Sequence, residues 1–516
     1  MRCFCLLYVL VLCGGIVATA WLPANAQPIS VRKSDGKTLI QAAAIDSSRN
    51  ILVMAQMGKM QLSSWHFFDS KKPTAVYQWQ TPDAVECVVF ATAKNGERVF
   101  LSGDSRGVVR LWDIHARDQV DSFRAHRQQV LGLVFSQSAN ILVSLGIDDG
   151  KTKLRFWDLQ TKKQTIPVRD AFGVSVALSP NGKLMALTLP GGKLELVEFP
   201  ACKSVWTRSS GKAAWLSNVN FAPNGRTVIT AESSWGKTTN ICFWDVNSGS
   251  VTKKIAAYPI FDLGRRLVGG ICCLSYSPTG LLVASAGKDD RVCFWEAATG
   301  QKITSVPGHQ GPVNAILFHG DDDKCFSISH AGDVFFTDFA GIKKHVRPTA
   351  NRKPGTDLQP FWQDLHSSEA LRGVVAVEFF LQHSKLALPF LKSRLLVRKQ
   401  KKGEWFSKNV NDLANANFGV RQKAAVEIEK QLYAAEPFLR QRLTNGTDLE
   451  TRRRIENLLK KIPKLDGLRP ADLRPLRVIS ILERIDAAES RELLAWMAKN
   501  LETEQLRSAA KRALGK

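Results

Sequence analysis

Acidic residues are scarce in this chain of 516 residues, with 47 Asp and Glu against 71 Lys and Arg and a formal net charge of +24. Such a surface favours polyanionic partners and says nothing about fold. Paired cysteine spacing is missing as well. Of ten cysteines, Cys3, Cys5 and Cys13 crowd the N-terminus, and the other seven are an odd number with neither CxxC nor CxxCH spacing. No disulfide is demanded, and thiolate metal or haem ligation is disfavoured. Nor is there a GxSxG, HExxH, P-loop or GxGxxG sequence. The expectation is no catalytic residue, no metal, no cofactor, and no enzyme.

Long apolar runs are absent with one exception, Phe4 to Thr19. That run follows Arg2 and precedes Ala24-Asn25-Ala26, so residues 1–26 read as a secretory signal cleaved before Gln27. The mature chain is then periplasmic or secreted with no membrane segment. An uncleaved N-terminal membrane anchor is the alternative, since a span needs about 20 apolar residues.

What the chain has in abundance is one repeated sentence. Its fullest statement is CLSYSPTGLLVASAG (273–287) followed by GKDDRVCFWEAATGQ (287–301). Each unit reads as short alternating strands, turn signals and a closing Trp-acid pair. The marker position falls at Trp65, Trp112, Trp157, Val197, Trp244, Trp295 and Thr337, at intervals of 40 to 51 residues. Turns such as Ser179-Pro180-Asn181-Gly182 and Ala222-Pro223-Asn224-Gly225 suit tight hairpins. A four-stranded sheet cannot bury both faces alone, but sheets packed radially bury one another. Seven copies predict a seven-bladed β-propeller over 27–345. Cys242 and Cys293, two residues before a Trp, share its face and read as buried thiols.

VVRLWD, LRFWD, ICFWD and VCFWE recur in register and resemble the tryptophan-aspartate (WD) repeat β-propeller family. The resemblance implies a ring closed by a strand from the opposite terminus, here residues 28–34 on the seventh blade, and a buried His–Ser/Thr–Asp–Trp hydrogen-bond chain pinning each blade. The partial matches are His126 with Ser144 and Trp157, Ser285 with Asp289 and Trp295, and His309 in the seventh copy. Arg106 stands where the second copy would carry its turn aspartate. These residues are expected to be structural. The run Asp321-Asp322-Asp323 reads as a solvated hairpin tip.

Residues 346–360 read as a Pro-, Gly- and Asn-bearing basic linker. From 361 to 516 the period is helical, with Leu371, Val374, Val375, Phe379 and Leu381 forming a stripe. Leu371-Arg372 with ALPFLKSRL (387–395) recurs as Val420-Arg421 with AEPFLRQRL (435–443), and more weakly from Leu476-Arg477. Pro389 and Pro437 are expected in the first turn of a second helix. This tail resembles HEAT/armadillo-like α-solenoid repeats, and the whole layout is similar to bacterial exported WD-repeat proteins.

The functional expectation is a non-catalytic protein–protein interaction scaffold exported to the cell envelope, binding unidentified protein partners through propeller faces and a helical groove. The alternative is a polyanion-binding protein whose ligand is a cell-envelope polymer or nucleic acid. No nucleic-acid recognition motif is present, so an anionic polymer is the favoured ligand of that kind.

Overall fold

The computed structural model describes residues 29–32, 39–46, 50–56, 60–66, 74–92, 98–170, 175–211, 214–234, 239–258, 261–262, 267–268, 270–320, 323–344, 346, 357–429, 432–444, 447–460 and 468–515. The signal segment, most of the linker, and Asp321 and Asp322 lie outside the described residues.

Seven four-stranded antiparallel sheets form in sequence order. Blades 1 to 7 occupy 40–80, 85–124, 130–170, 176–209, 214–258, 271–307 and 313–338. Strands a to d run outward from the axis, and in blades 1 to 6 they follow chain order. Blade 7 supplies only three strands from its own stretch, and Ile29–Arg32 completes it, pairing antiparallel with Val334–Asp338. A short ribbon, Phe261–Asp262 with Leu267–Val268, projects between blades 5 and 6.

Seven apolar clusters, one at each blade interface, account for the ring. Blades 1 and 2 share Val53, Leu62, Trp79, Phe100 and Trp112. Blades 7 and 1 close the circle through Phe326, Ile328 and Val334 against Ile40, Leu52 and Met54. The backbone is tied there too, with the Ile40 amide donating to the His330 carbonyl at 2.9 Å. Each sheet thus removes its neighbour's apolar face from water, at about 25 cal/mol per Å².

The C-terminal region is helical: α1 Phe339–Lys344, α2 Gln359–Asp364, α3 Ala370–Gln382, α4 Ser384–Asp412, α5 Phe418–Glu429, α6 Leu432–Thr444, α7 Leu449–Lys460, α8 Pro470–Ile485, α9 Ala488–Asn500 and α10 Glu504–Ala513. Val374 and Val375 are buried as the stripe predicted, but the core aromatic of α3 is Phe380, while Phe379 stacks on Phe361. Pro389 and Pro437 each stand sixth in their helix, a turn deeper than expected, at equivalent positions of α4 and α6. Two helical cores result. The α4–α7 group packs around Phe406, Ile428, Leu439 and Ile455. The α2, α3, α8, α9 and α10 group shares one continuous core with blades 6 and 7. Among the described residues no single helix is long and apolar enough to cross a membrane.

Candidate functional site at the propeller–helix junction

The blade pins come first, because they set how rigid the platform is. In blade 3 the Trp157 indole N–H donates to Ser144 Oγ at 2.9 Å, and His126 Nε2 lies 2.8 Å from the same oxygen. His126 Nδ1 reaches Asp148 Oδ2 at 3.2 Å, so this blade holds a full four-membered chain. Burial holds the His126 imidazole below its ordinary value against the pull of Asp148. The sequence reading had no aspartate for this blade. Asp148 sits at the b–c turn, where its Oδ1 also accepts the Arg127 amide.

Blade 6 keeps one part of the expected set. The Trp295 indole donates to Ser285 Oγ at 2.8 Å. Asp289 does not join them, because it lies exposed at the b–c turn with its carboxylate turned to local backbone amides. In blade 7 His309 Nε2 lies 2.8 Å from Ser327 Oγ and the ring stacks on Phe335. Blades 2 and 5 carry Trp–hydroxyl pairs as well, Trp112 to Ser102 at 2.8 Å and Trp244 to Thr230 at 2.9 Å. The turn aspartate missed in blade 2 is Asp104, two residues before Arg106. Its Oδ1 accepts the Arg106 and Val108 amides at 2.9 and 2.8 Å, and its Oδ2 pairs with Arg110.

The cysteines follow the same logic. All seven described cysteines are unpaired, and Cys242 and Cys293 pack in the clusters of Trp244 and Trp295. Burial raises the Cys242 thiol above its ordinary range, which suits an inert core group.

Among the described residues the helices meet the propeller on one face. The contacting turns are a–b and c–d turns: Asn224 and Arg226 in blade 5, Thr279, Gly280 and Gln301 in blade 6, and Asp323 in blade 7. In antiparallel sheets these turns share one face of the ring, and the b–c turns and blade connections share the other. At the centre of the junction is Arg477 of α8, with none of its side chain exposed. Its Nε and one terminal nitrogen grip Glu296 bidentately at 2.7 and 2.8 Å. The remaining N–H bonds go to Gln301 Oε1 and the carbonyls of Leu365 and Ser367. Every donor of the guanidinium is used, the condition under which a buried charge pair is tolerated. Glu296 is the acid of the sixth copy's Trp-acid pair, so the repeat's own signature anchors the tail.

Gly373 of α3 makes room for this. A Cβ there would fall 2.1 Å from Arg477 Cζ. Beside it, Lys343 is buried between Asp323 (2.6 Å) and Glu378, tying α1, blade 7 and α3 together. Asp323, expected in a solvated tip, is therefore a junction residue.

Next to Arg477 the junction leaves a cavity of about 170 Å³ between blades 5 and 6 and helices α8 and α10. Its charged lining is Arg226, Lys253, Arg484 and Arg512 against Asp245 and Glu483. The Lys253 ammonium sits 4.2 Å over the Phe243 ring and donates to the Ala297 and Ala298 carbonyls. Burial, with Arg512 nearby and only Glu296 opposing, lowers Lys253 to about 7. Burial also raises Glu483 against the pull of Arg484, Arg226 and Arg512. Chain positions more than 250 residues apart meet here, so neither motif nor spacing announced the site. Among the described residues no group of three or more His, Cys, Asp or Glu is placed to hold a metal ion.

Comparison with known proteins agrees with the repeat. The family model for the WD domain, G-beta repeat, matches residues 264–296, which contain the first three strands of blade 6. The chain is 26% identical over 255 residues to telomerase protein component 1 of Mus musculus, covering 48% of this chain and 8% of that protein. It is 22% identical over 237 residues to WD repeat-containing protein 82 of Drosophila melanogaster, covering 45% and 71%. It is 24% identical over 237 residues to small ribosomal subunit protein RACK1 of Caenorhabditis elegans, covering 44% and 68%. The chain thus spans less than a tenth of the mouse protein's length. The seven closed sheets form a seven-bladed β-propeller followed by a helical region, and one stretch of blade 6 is similar to a WD repeat.

Proposed function

We propose that this protein is a non-catalytic interaction scaffold exported to the cell envelope, and that it presents its partner with the propeller face opposite the helices. The observation that carries the proposal is the one-sided docking of α3, α8 and α10. It covers the a–b turns of blades 5 to 7, so the opposite face, that of the b–c turns and blade connections, is the one assigned to the partner. That face carries Trp215, 59% exposed at the start of the blade 5 inner strand, an apolar group of the kind that anchors interfaces. WD-repeat propellers generally serve as such scaffolds, which supports the reading. Export rests on the N-terminal segment alone.

The helical region reads as HEAT-like. Arg421 of α5 donates to the carbonyls of Asn415 and Ala416, both at 2.8 Å. Arg507 of α10 repeats the move with Leu501 and Glu502 at 2.8 and 3.2 Å. Each arginine closes the loop before its own helix, a recurring element suited to stacked helical pairs.

The test is crosslinked capture from envelope extract with the mature chain, run beside Trp215→Ser and a substitution on the covered face, Asn224→Ala. A specific partner lost with Trp215→Ser and retained with Asn224→Ala is expected. A partner indifferent to Trp215→Ser would contradict the face assignment, and no saturable partner would contradict the scaffold. A second reading, polyanion binding, draws on the net charge of +24 and on exposed Arg452 and Arg453 of α7. Heparin affinity falling steeply as salt rises would favour it.

A further inference from the structure

We propose that the cavity between blades 5 and 6 and helices α8 and α10 is a binding site for a small dianionic oxyanion, a phosphate or the phosphate end of a small phosphomonoester. The proposal goes beyond the scaffold reading and does not depend on it.

Charge is the first argument. Arg226, Arg484 and Arg512, with a Lys253 that holds its proton only weakly, face Asp245 and Glu483, leaving a surplus of about one positive charge or more in a partly desolvated space. Hydrogen bonding is the second. The Arg512 guanidinium, the Tyr276 hydroxyl and the Gln505 side-chain amide all line the cavity, where Arg512 and Tyr276 meet their charged neighbours through charge alone. Arg512 feels Asp245 and Glu483 only as charges, and burial weakens its hold on its proton. An arginine facing a cavity is matched by an oxyanion, which accepts two parallel N–H bonds. Its acidic neighbours are already engaged: Asp245 Oδ1 accepts the Ser248 amide and hydroxyl, and Glu483 Oε1 accepts from Asn224 and Arg226.

Size is the third argument. About 170 Å³ admits a phosphate with a short substituent. Arg226, Lys253 and Tyr276 come from the propeller, while Arg484, Gln505 and Arg512 come from the helices. A bound oxyanion therefore bridges the two modules, and its binding energy adds to their docking.

The experiment is calorimetric titration of the full chain with inorganic phosphate and, separately, with glycerol 3-phosphate, at fixed ionic strength. Saturable one-site binding of at least one ligand is expected, with a rise in melting temperature. Arg512→Gln should weaken it about tenfold or more, the loss expected for charge-assisted hydrogen bonds. Tyr276→Phe should weaken it severalfold without changing the unliganded melting temperature. Arg507→Gln removes the same charge from the same helix, where the guanidinium is paired with Glu504, and should leave affinity unchanged. Tighter glycerol 3-phosphate assigns the site to phosphomonoesters, and equal or tighter inorganic phosphate assigns it to the free ion. No saturable binding of either ligand overturns the proposal, as does an equal loss in Arg507→Gln and Arg512→Gln.

Discussion

Single side chains in the blades act as pins whose value lies in what they would leave unpaired. Ser144 accepts the Trp157 indole and meets His126 Nε2 inside a closed core, so Ser144→Ala strands two buried polar groups. The expected cost is about 2–3 kcal/mol of unfolding free energy, measured in urea. His309 adds a pH dependence. Burial holds it at about 4, against an ordinary 6.5, so between those values the unfolded chain binds a proton that the native state refuses. Its contribution is therefore intact above pH 6.5 and is lost progressively as pH falls toward 4. The loss should reach on the order of 2–3 kcal/mol, and His309→Gln should flatten that limb of the stability profile. A profile unaltered by the substitution would place the acid sensitivity elsewhere. The Trp–Ser pairs of blades 3 and 6 were legible through the resemblance to WD repeats, whose motif sets a hydroxyl and an indole on neighbouring strands. Asp104 and Asp148 were not, because a turn aspartate is placed by turn length, and the b–c turns here differ in length from blade to blade.

Between elements, two contacts decide whether the ring closes and whether the tail docks. Ile29–Arg32 finishes blade 7, so removing residues 28–34 exposes the edge of Val334–Asp338 and loosens the contact with blade 1. A lower melting temperature is expected, and an unchanged one would mean that the ring closes without the strand. Docking hinges on Arg477 and Gly373. Arg477→Met leaves Glu296 charged and buried, which costs about 3–5 kcal/mol. Gly373→Ala drives a methyl into the guanidinium, so it attacks the same contact from the α3 side. Because both act on one interaction, the double variant should lose clearly less than the sum of the single losses. Additive losses in urea melts would show that the two residues act separately. Leu476-Arg477 stood out in the sequence only as the start of a third helical copy. Nothing local marked it as the partner of an acid 181 positions earlier.

At the scale of the whole molecule, the seven-part ring could be read from the spacing of its markers, and its closure by residues 28–34 from the resemblance to WD-repeat rings. The cover on one face could not, because the helices reach it through turns whose sequences look like ordinary solvated hairpins. Asp323 shows the difficulty: in sequence it belongs to an acidic tip, and in the fold it neutralises the buried Lys343. Cutting the chain after the blades, at residue 346, should therefore yield a ring with Leu281, Phe294, Phe318 and Phe339 newly uncovered. Self-association and dye binding to apolar surface are expected of that fragment, whereas a monodisperse fragment as stable as the full chain would mean that the helices only rest on the ring.

The most direct measurement is residue-resolved hydrogen exchange on the full chain and on Arg477→Met. If blade 6 and the α3, α8 and α10 helices are one cooperative body, amides of Arg291–Glu296 and of α8 will open with similar free energies. Both will then fall together in the variant. Fast, independent exchange of α8 with blade 6 untouched by the substitution would contradict the account.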